Sequence, residues 1–241
     1  MVLFAFAFFG AGSLVLGLVV IPVMSLFIKK EKRRAVFCSV VHSLWAFFSR
    51  FIEKTGSIKF NVTTKQREFL TGLKGCIIVA NHPSYIDIVL LIGLIPNTLC
   101  VVKKEIKNNP IMSNIVQSTY LINDEEKDTL RQEAKQALDA GYNVIIFPTG
   151  TRTVGGETLK LHSGAASLAI FSKAPVIPLH ISCDYRFLAK HQKIYDAGEK
   201  VVNYYLKINK TIRLEDFQTP DITETKLRRR INAVIKERIV N

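Results

Sequence analysis

Two hydrophobic patterns divide the chain. Residues 2–28 contain no charged side chain, whereas beyond residue 34 short apolar runs alternate with segments of helical period. The first pattern is long enough to cross a bilayer, which needs about 20 apolar residues. Gly10, Gly12, Gly17 and Pro22 interrupt it. Two short helices dipping into one leaflet, or a buried core helix, therefore stay open beside one spanning helix. A secretory signal peptide fits poorly, because the run is too long, no basic stretch precedes it and no small-residue cleavage site follows. Over residues 35–52 the spacing of Phe37, Val40, Val41, Leu44, Trp45, Phe47, Phe48, Phe51 and Ile52 predicts a helix with a broad apolar face. That face suits either a membrane interface or packing on the rest of the protein.

The remainder reads as an αβ chain. Strands are predicted at 58–62, 76–80, 99–102, 120–122, 143–147 and 174–181, the last with Pro178 at a sheet edge or bulge. A final hairpin is expected over 201–212. Residues 88–92 begin a buried helix, Asn108-Asn109-Pro110 is a turn, and 111–116 form a short helix. The segment 124–140 is an exposed helix with Leu130, Ala134, Ala137 and Leu138 inward and Gly141 just past its end. Gly155-Gly156 suggests a mobile loop. Small residues open a helix at 163–169, and 223–239 form a basic amphipathic helix with Leu227, Ile231, Val234 and Ile235 inward. The expected organisation is an N-terminal membrane anchor with its basic flank over 1–34, then one domain over 35–241, entered through the amphipathic helix at 35–55.

Charge sharpens this picture. The net charge of +13 implies an acidic partner such as nucleic acid, anionic lipid or a phosphorylated small molecule. Five cations lie within Lys29-Lys30-Glu31-Lys32-Arg33-Arg34, beside the apolar segment. That position favours the cytoplasmic side and anionic headgroups. A nucleic-acid binder is disfavoured, because the cations flank the anchor and one helix and no binding motif accompanies them. Cys38, Cys76, Cys100 and Cys183 are scattered without metal-ligand spacing, as reduced thiols in a cytoplasmic domain would be.

Two polar clusters interrupt the apolar runs where strands should end. In the first, Asn81-His82-Pro83-Ser84-Tyr85-Ile86-Asp87, a short turn separates His82 from Asp87. A carboxylate holding one imidazole nitrogen leaves the other as an acceptor for a hydroxyl proton. The same residues also fit a helix capping box, Ser84-x-x-Asp87, with no chemistry at all. In the second cluster, Pro148-Thr149-Gly150-Thr151-Arg152-Thr153, a tight turn can aim backbone N–H groups at one point, and Arg152 offers a fork suited to phosphate. An ordinary strand-ending turn with a solvated arginine is the plainer alternative.

Taken in order, these blocks resemble the glycerolipid (lysophospholipid) acyltransferase superfamily, and most of all its bacterial 1-acyl-glycerol-3-phosphate acyltransferases. Asn81-His82 to Asp87 is similar to the family's Asn-His-x4-Asp block. Lys103-Lys104-Glu105-Ile106 with Pro110 resembles the second block. Phe147-Pro148-Thr149-Gly150-Thr151-Arg152 resembles the third, and Val176-Ile177-Pro178-Leu179 the fourth. The chain departs from the pattern at Thr149, where the family carries Glu, at Asn123-Asp124, where Asp-Arg is common, and at His162, where a lysine is usual.

The resemblance implies an α/β fold, a mixed, mostly parallel sheet flanked by helices. It also implies transfer of a fatty acyl group from acyl-CoA or acyl-carrier protein to the hydroxyl of a membrane lysolipid such as 1-acyl-glycerol-3-phosphate. His82 is the expected base and Asp87 its partner. Lys103, Thr149, Gly150, Thr151 and Arg152 are the expected substrate contacts. No metal or bound cofactor is expected, and the location implied is the cytoplasmic face of the inner membrane. The three departures leave a different lysolipid acceptor open. Thioester hydrolysis and a non-catalytic lipid-binding role are the competing readings.

Overall fold

The computed structural model describes residues 2–107, 115, 119–123, 127–152, 160–185, 187–189, 192, 200–217, 219 and 222–240. The turn expected at Asn108-Asn109-Pro110, most of the helix expected over 111–116, Asp124, Thr153 and the Gly155-Gly156 pair lie outside them.

The uncharged run forms one helical rod. Helix α1 (Val2–Val15) passes through a π-helical stretch (Leu16–Val20) into α2 (Ile21–Phe27). Pro22, with no N–H to donate, follows directly on the shifted ladder. The chain then turns at Ile28 and Lys29 into the long helix α3 (Lys30–Lys54). Arg33 closes this turn, its Nε donating to Ile28 O at 3.0 Å and its Nη2 to Ser25 O at 2.6 Å. It thereby satisfies carbonyls left open at the end of α2. The basic run is helical because Lys, Arg and Glu are good helix formers. Helix α3 thus starts at Lys30, not at residue 35, and runs unbroken across the expected boundary at residues 34 and 35.

Aromatic contacts bind α1 antiparallel to α3. Phe9 packs on Trp45 and Phe48 at 5.0 and 4.8 Å, and Phe8 on Phe51 at 5.1 Å. The two helical segments also leave large apolar side chains open, with Leu26 and Phe27 more than four-fifths exposed. By length and composition, residues 7–27 and α3 are each able to cross a membrane.

Among the described residues the remaining strands and α-helices are β1 (Ile58–Asn61), α4 (Thr64–Thr71), β2 (Ile77–Ala80), α5 (Asp87–Leu94), β3 (Thr98–Lys103), α6 (Lys104–Lys107), β4 (Tyr120–Asn123), α7 (Lys127–Asp139), β5 (Asn143–Ile146), α8 (Gly164–Ser172), β6 (Val176–Cys183), β7 (Val202–Ile208) and α9 (Glu224–Val240). Among the described residues the strands form one sheet in the order β1-β7-β6-β2-β5-β3-β4, in which β6 and β7 pair antiparallel and the other neighbours parallel. This is the mixed, mostly parallel sheet expected. Helix α4 is additional to the sequence prediction. It opens with a capping box in which Thr63 Oγ1 accepts from Gln66 N and Gln66 Oε1 accepts from Thr63 N.

Two expectations are corrected. Residues 201–212 are not a hairpin: β7 stands alone between β1 and β6, and Ile212 only bridges back to Val176. Pro178 is not on an edge strand either, since β6 lies between β2 and β7. Its carbonyl accepts from Asn209 N at 2.9 Å, just past the last β6–β7 pair at Leu179 and Ile208. A strand residue aims its N–H and C=O to the same side, so the missing N–H removes only the second bond of this terminal Pro178–Asn209 pair.

Period-two alternation places a core on each face. Ile78 and Ala80 face the cluster built by α3 and α5, while Ile77 and Val79 face that of α7, α8 and α9. Leu227, Ile231, Ile235 and Ile239 seat α9 on the second face. Gly93 lets α5 and α3 touch backbone to backbone, because a Cβ there would stand 2.9 Å from Ala46 N.

Candidate active site

The site lies where the parallel strands end. β2, β5, β3 and β6 run the same way, so their C-terminal ends bring His82, Phe147, Lys103 and Cys183 to one edge of the sheet. Asn81 decides how the chain leaves that edge. Its Nδ2 donates to Ile181 O at 2.7 Å, and its Oδ1 accepts from Ile181 N at 2.6 Å. The side-chain amide thus takes the place of the next peptide in the β2–β6 ladder, and the main chain turns away carrying His82.

His82 Nδ1 lies 2.8 Å from Asp87 Oδ2. The imidazole is 18% exposed and the carboxylate 0%. Ser84 N donates to the same oxygen at 2.8 Å. Half of the anticipated capping box therefore forms: the Asp87 carboxylate caps Ser84, while Ser84 Oγ accepts from Ile86 N at 3.4 Å rather than from Asp87 N. Capping and the histidine contact coexist on one carboxylate. Phe147 stacks on the imidazole with ring centres 4.3 Å apart. With Nδ1–H donated to Asp87, Nε2 keeps its lone pair. Burial pushes the Asp87 carboxyl above the ordinary carboxylate range, against the opposing pull of His82, the Ser84 N–H and Tyr204.

The second cluster meets the first across Phe147. Gly150 takes φ +65°, and a Cβ there would stand 3.6 Å from His162 and 3.7 Å from the Lys103 stem. Lys103, Gly150 and His162 thus converge, with the His162 N–H held on Pro148 O at 2.8 Å. The turn's own groups are largely engaged. Gly150 N donates to Phe147 O at 3.0 Å, and the Thr149 hydroxyl donates to Thr151 O at 2.8 Å. Thr151 is exposed.

Arg152 is anchored rather than solvated. Its Nη1 donates to Leu188 O at 2.8 Å and Ala189 O at 2.7 Å, and its guanidinium stacks 3.4 Å above the Tyr85 ring. It joins the turn to the 187–189 segment and to the residue three places beyond His82. These partners, like Asn81 and the Phe147 stack, were not assigned from sequence. Tyr204, wholly buried in β7, was also missed. A buried tyrosine in an alternating strand signals that its hydroxyl has business inside, but nothing local says with what.

The chain is similar to several known proteins. The acyltransferase family model matches residues 61–182. The 1-acyl-sn-glycerol-3-phosphate acyltransferase of Helicobacter pylori is 31% identical over 229 residues, covering 90% of this chain and 85% of that protein. The enzyme of the same name from Bacillus subtilis is 26% identical over 140 residues, covering 56% of this chain and 69% of that protein. The crystal structure of the 1-acyl-sn-glycerophosphate (LPA) acyltransferase PlsC from Thermotoga maritima superposes with a TM-score of 0.72 at 20% identity, covering 99% of this chain and 93% of that one.

Proposed function

The chain belongs to the acyltransferase family, and on that premise we propose that it moves a fatty acyl group from a thioester donor, acyl-CoA or acyl-carrier protein, to the free hydroxyl of 1-acyl-glycerol-3-phosphate. It is an O-acyltransferase of phospholipid biosynthesis. The observation that carries the mechanism is the 2.8 Å contact between His82 Nδ1 and a carboxylate withdrawn entirely from solvent.

His82 Nε2 takes the acceptor hydroxyl's proton as the oxygen attacks the thioester carbonyl. Asp87 holds the tautomer and stabilises the imidazolium. The C–S bond then breaks, and the leaving thiolate receives that proton. The donor is already activated, so this chemistry needs no covalent enzyme intermediate, metal or bound cofactor. Lys103 and His162 beside Gly150 suit the acceptor phosphate. Arg152 serves the same subsite by holding the turn and the 187–189 segment in place. The open apolar side chains of α1 to α3 and the cations of 29–34 suit attachment at the cytoplasmic surface of the inner membrane, where lysolipid and product reside.

A different lysolipid acceptor is the second reading. The Thr149 hydroxyl, tied to its own turn, favours it by leaving no acidic group at the position where the resembled family carries Glu. The test is acyl transfer by purified protein in mixed micelles, with a lysolipid panel and both donors, comparing wild type with His82→Ala. The expected result is lysophosphatidate-dependent product and a loss of about 10²–10⁴-fold in kcat for the variant. Undiminished transfer by His82→Ala overturns the mechanism, and thioester cleavage without any lysolipid overturns the reaction.

A further inference from the structure

Asp87 has a second oxygen that the His82 contact leaves unused. Oδ2 receives both His82 Nδ1 and the Ser84 N–H, whereas Oδ1 is buried with no hydrogen-bond partner among the described residues. The Tyr204 hydroxyl is likewise buried and, among the described residues, completes no hydrogen bond of full geometry. Tyr204 sits on β7 opposite Cys183 of β6, and its ring packs edge-on against Phe60 at 5.8 Å. From there its hydroxyl interacts with Asp87, Ser84 and Cys183. A carboxylate can only accept and a phenol readily donates, so two facing buried orphans of these types are complementary. Phe would fill the same apolar position, and the polar neighbourhood is what the hydroxyl answers.

We propose that Tyr204 is a positioning residue, donating its hydroxyl proton to Asp87 Oδ1 and so fixing the carboxylate that orients His82. The Ser84 hydroxyl in turn points its proton to Tyr204, which extends the relay as Ser84, Tyr204, Asp87, His82. This rests on the acyl-transfer reading of His82. Tyr204 touches no substrate. It acts by holding Oδ2 on Nδ1 and by spreading the carboxylate's charge.

The pH profile separates this role from simple packing. The titratable groups around the pair are His82 in the loop after β2, Tyr204 itself, and Cys183 and Asp184 at the end of β6. Cys183 is pushed up to about 11, by burial first and then by Asp87, so it stays a thiol. Asp184 is held below its ordinary range by hydrogen bonds from Asn203, so it stays charged. Burial and the Asp87 charge raise the phenol well above its ordinary value. The acid limb of kcat/KM therefore reports proton uptake by the His82–Asp87 pair. Removing a donor from the carboxylate destabilises the proton-free pair more than the protonated one, so the limb moves to higher pH.

The experiment measures Tyr204→Phe across pH with lysophosphatidate as acceptor. It is paired with 3-fluorotyrosine at position 204, whose more acidic hydroxyl is a stronger donor in an unchanged fold. For Tyr204→Phe the expected kcat is about 10-fold lower with KM unchanged. Its acid limb should lie about half a unit higher, and that of the fluorinated protein lower than wild type. An acid limb that stays in place in both proteins, or a change confined to KM, overturns the proposal. If Tyr204→Phe will not fold, the fluorinated protein alone decides. If His82→Ala is inactive while both Tyr204 proteins match wild type, only the Tyr204 role falls. If His82→Ala is active, the catalytic reading itself falls.

Discussion

Replacing Asn81 with Ala removes the two hydrogen bonds that end β2 on β6. Ile181 loses its partners on both N–H and C=O, and at 1% exposure it recovers little of them from solvent. Leaving a buried backbone group unpaired costs about 1–3 kcal/mol, so the pair amounts to about 2–6 kcal/mol. Water reaching in beside the partly exposed His82 relieves some of this, which places the expected loss at about 2–4 kcal/mol. For a chain of this size each kcal/mol moves Tm by about 2–4 °C, so Asn81→Ala should melt about 5–15 °C below wild type. Activity should fall further than the melting temperature suggests, because Asn81 sets where the chain departs and so where His82 sits. A shift of about 1 Å at such a group costs on the order of 10²-fold. Asn81→Asp is the informative companion. It keeps an acceptor for Ile181 N–H but sets a carboxylate oxygen against Ile181 C=O, so at neutral pH it should be no more stable than the alanine variant. The assay is circular dichroism melting of detergent-solubilised protein alongside acyl transfer at saturating donor. An Asn81→Ala protein melting within 2 °C of wild type, with kcat/KM within a factor of about two, refutes the account of how β2 ends.

Asp87→Asn should separate stability from activity. Burial raises the Asp87 carboxyl, so the penalty of its charge is absent below the unfolded-state pKa and grows as pH rises through the folded-state value. The variant should therefore lose on the order of 10²–10⁴-fold in kcat, with a Tm equal to or above wild type at pH 7 and a difference that shrinks toward pH 4. A Tm several degrees below wild type at pH 7 would contradict this. Gly93→Ala should loosen α3 from α5, because the new methyl would meet the backbone of Trp45 and Ala46 at 2.9–3.1 Å, where no rotamer change relieves it. Overpacking costs about 1–3 kcal/mol against a gain in helix propensity of about 1 kcal/mol, so a net loss is expected on melting, and a stabilised variant would refute the close approach.

What was legible in the sequence is local. The His82–Asp87 contact spans five positions and one turn, so the residue types and their spacing foretold it, and the capping alternative turned out to be the same carboxylate at work. The runs at 76–80, 99–102 and 143–147 could be read as strands because they are short and apolar on both faces, as parallel strands between helix layers must be. Thr63-x-x-Gln66 was an equally local helix signal, passed over because α4 buries only Leu70 and so carries little apolar periodicity. Other features needed the third dimension. Pro178 reads as an edge residue until the sheet order places β6 between β2 and β7 and puts its missing N–H at the end of the β6–β7 ladder. Trp45 suits membrane or protein equally until Phe9 of α1 packs on it and buries it in the core. Arg152 has the chemistry of a phosphate ligand, yet carbonyls 36 and 37 residues away occupy its Nη1. Tyr204 lies more than a hundred residues from the carboxylate it faces. The amino-acid order determined the strands, the helical rod and the histidine with its carboxylate, because each follows from neighbours a few positions apart. Only the tertiary structure decided which strands lie side by side, which cation is already engaged, and what stands behind Asp87. Those outcomes depend on pairings between distant segments that no local pattern specifies.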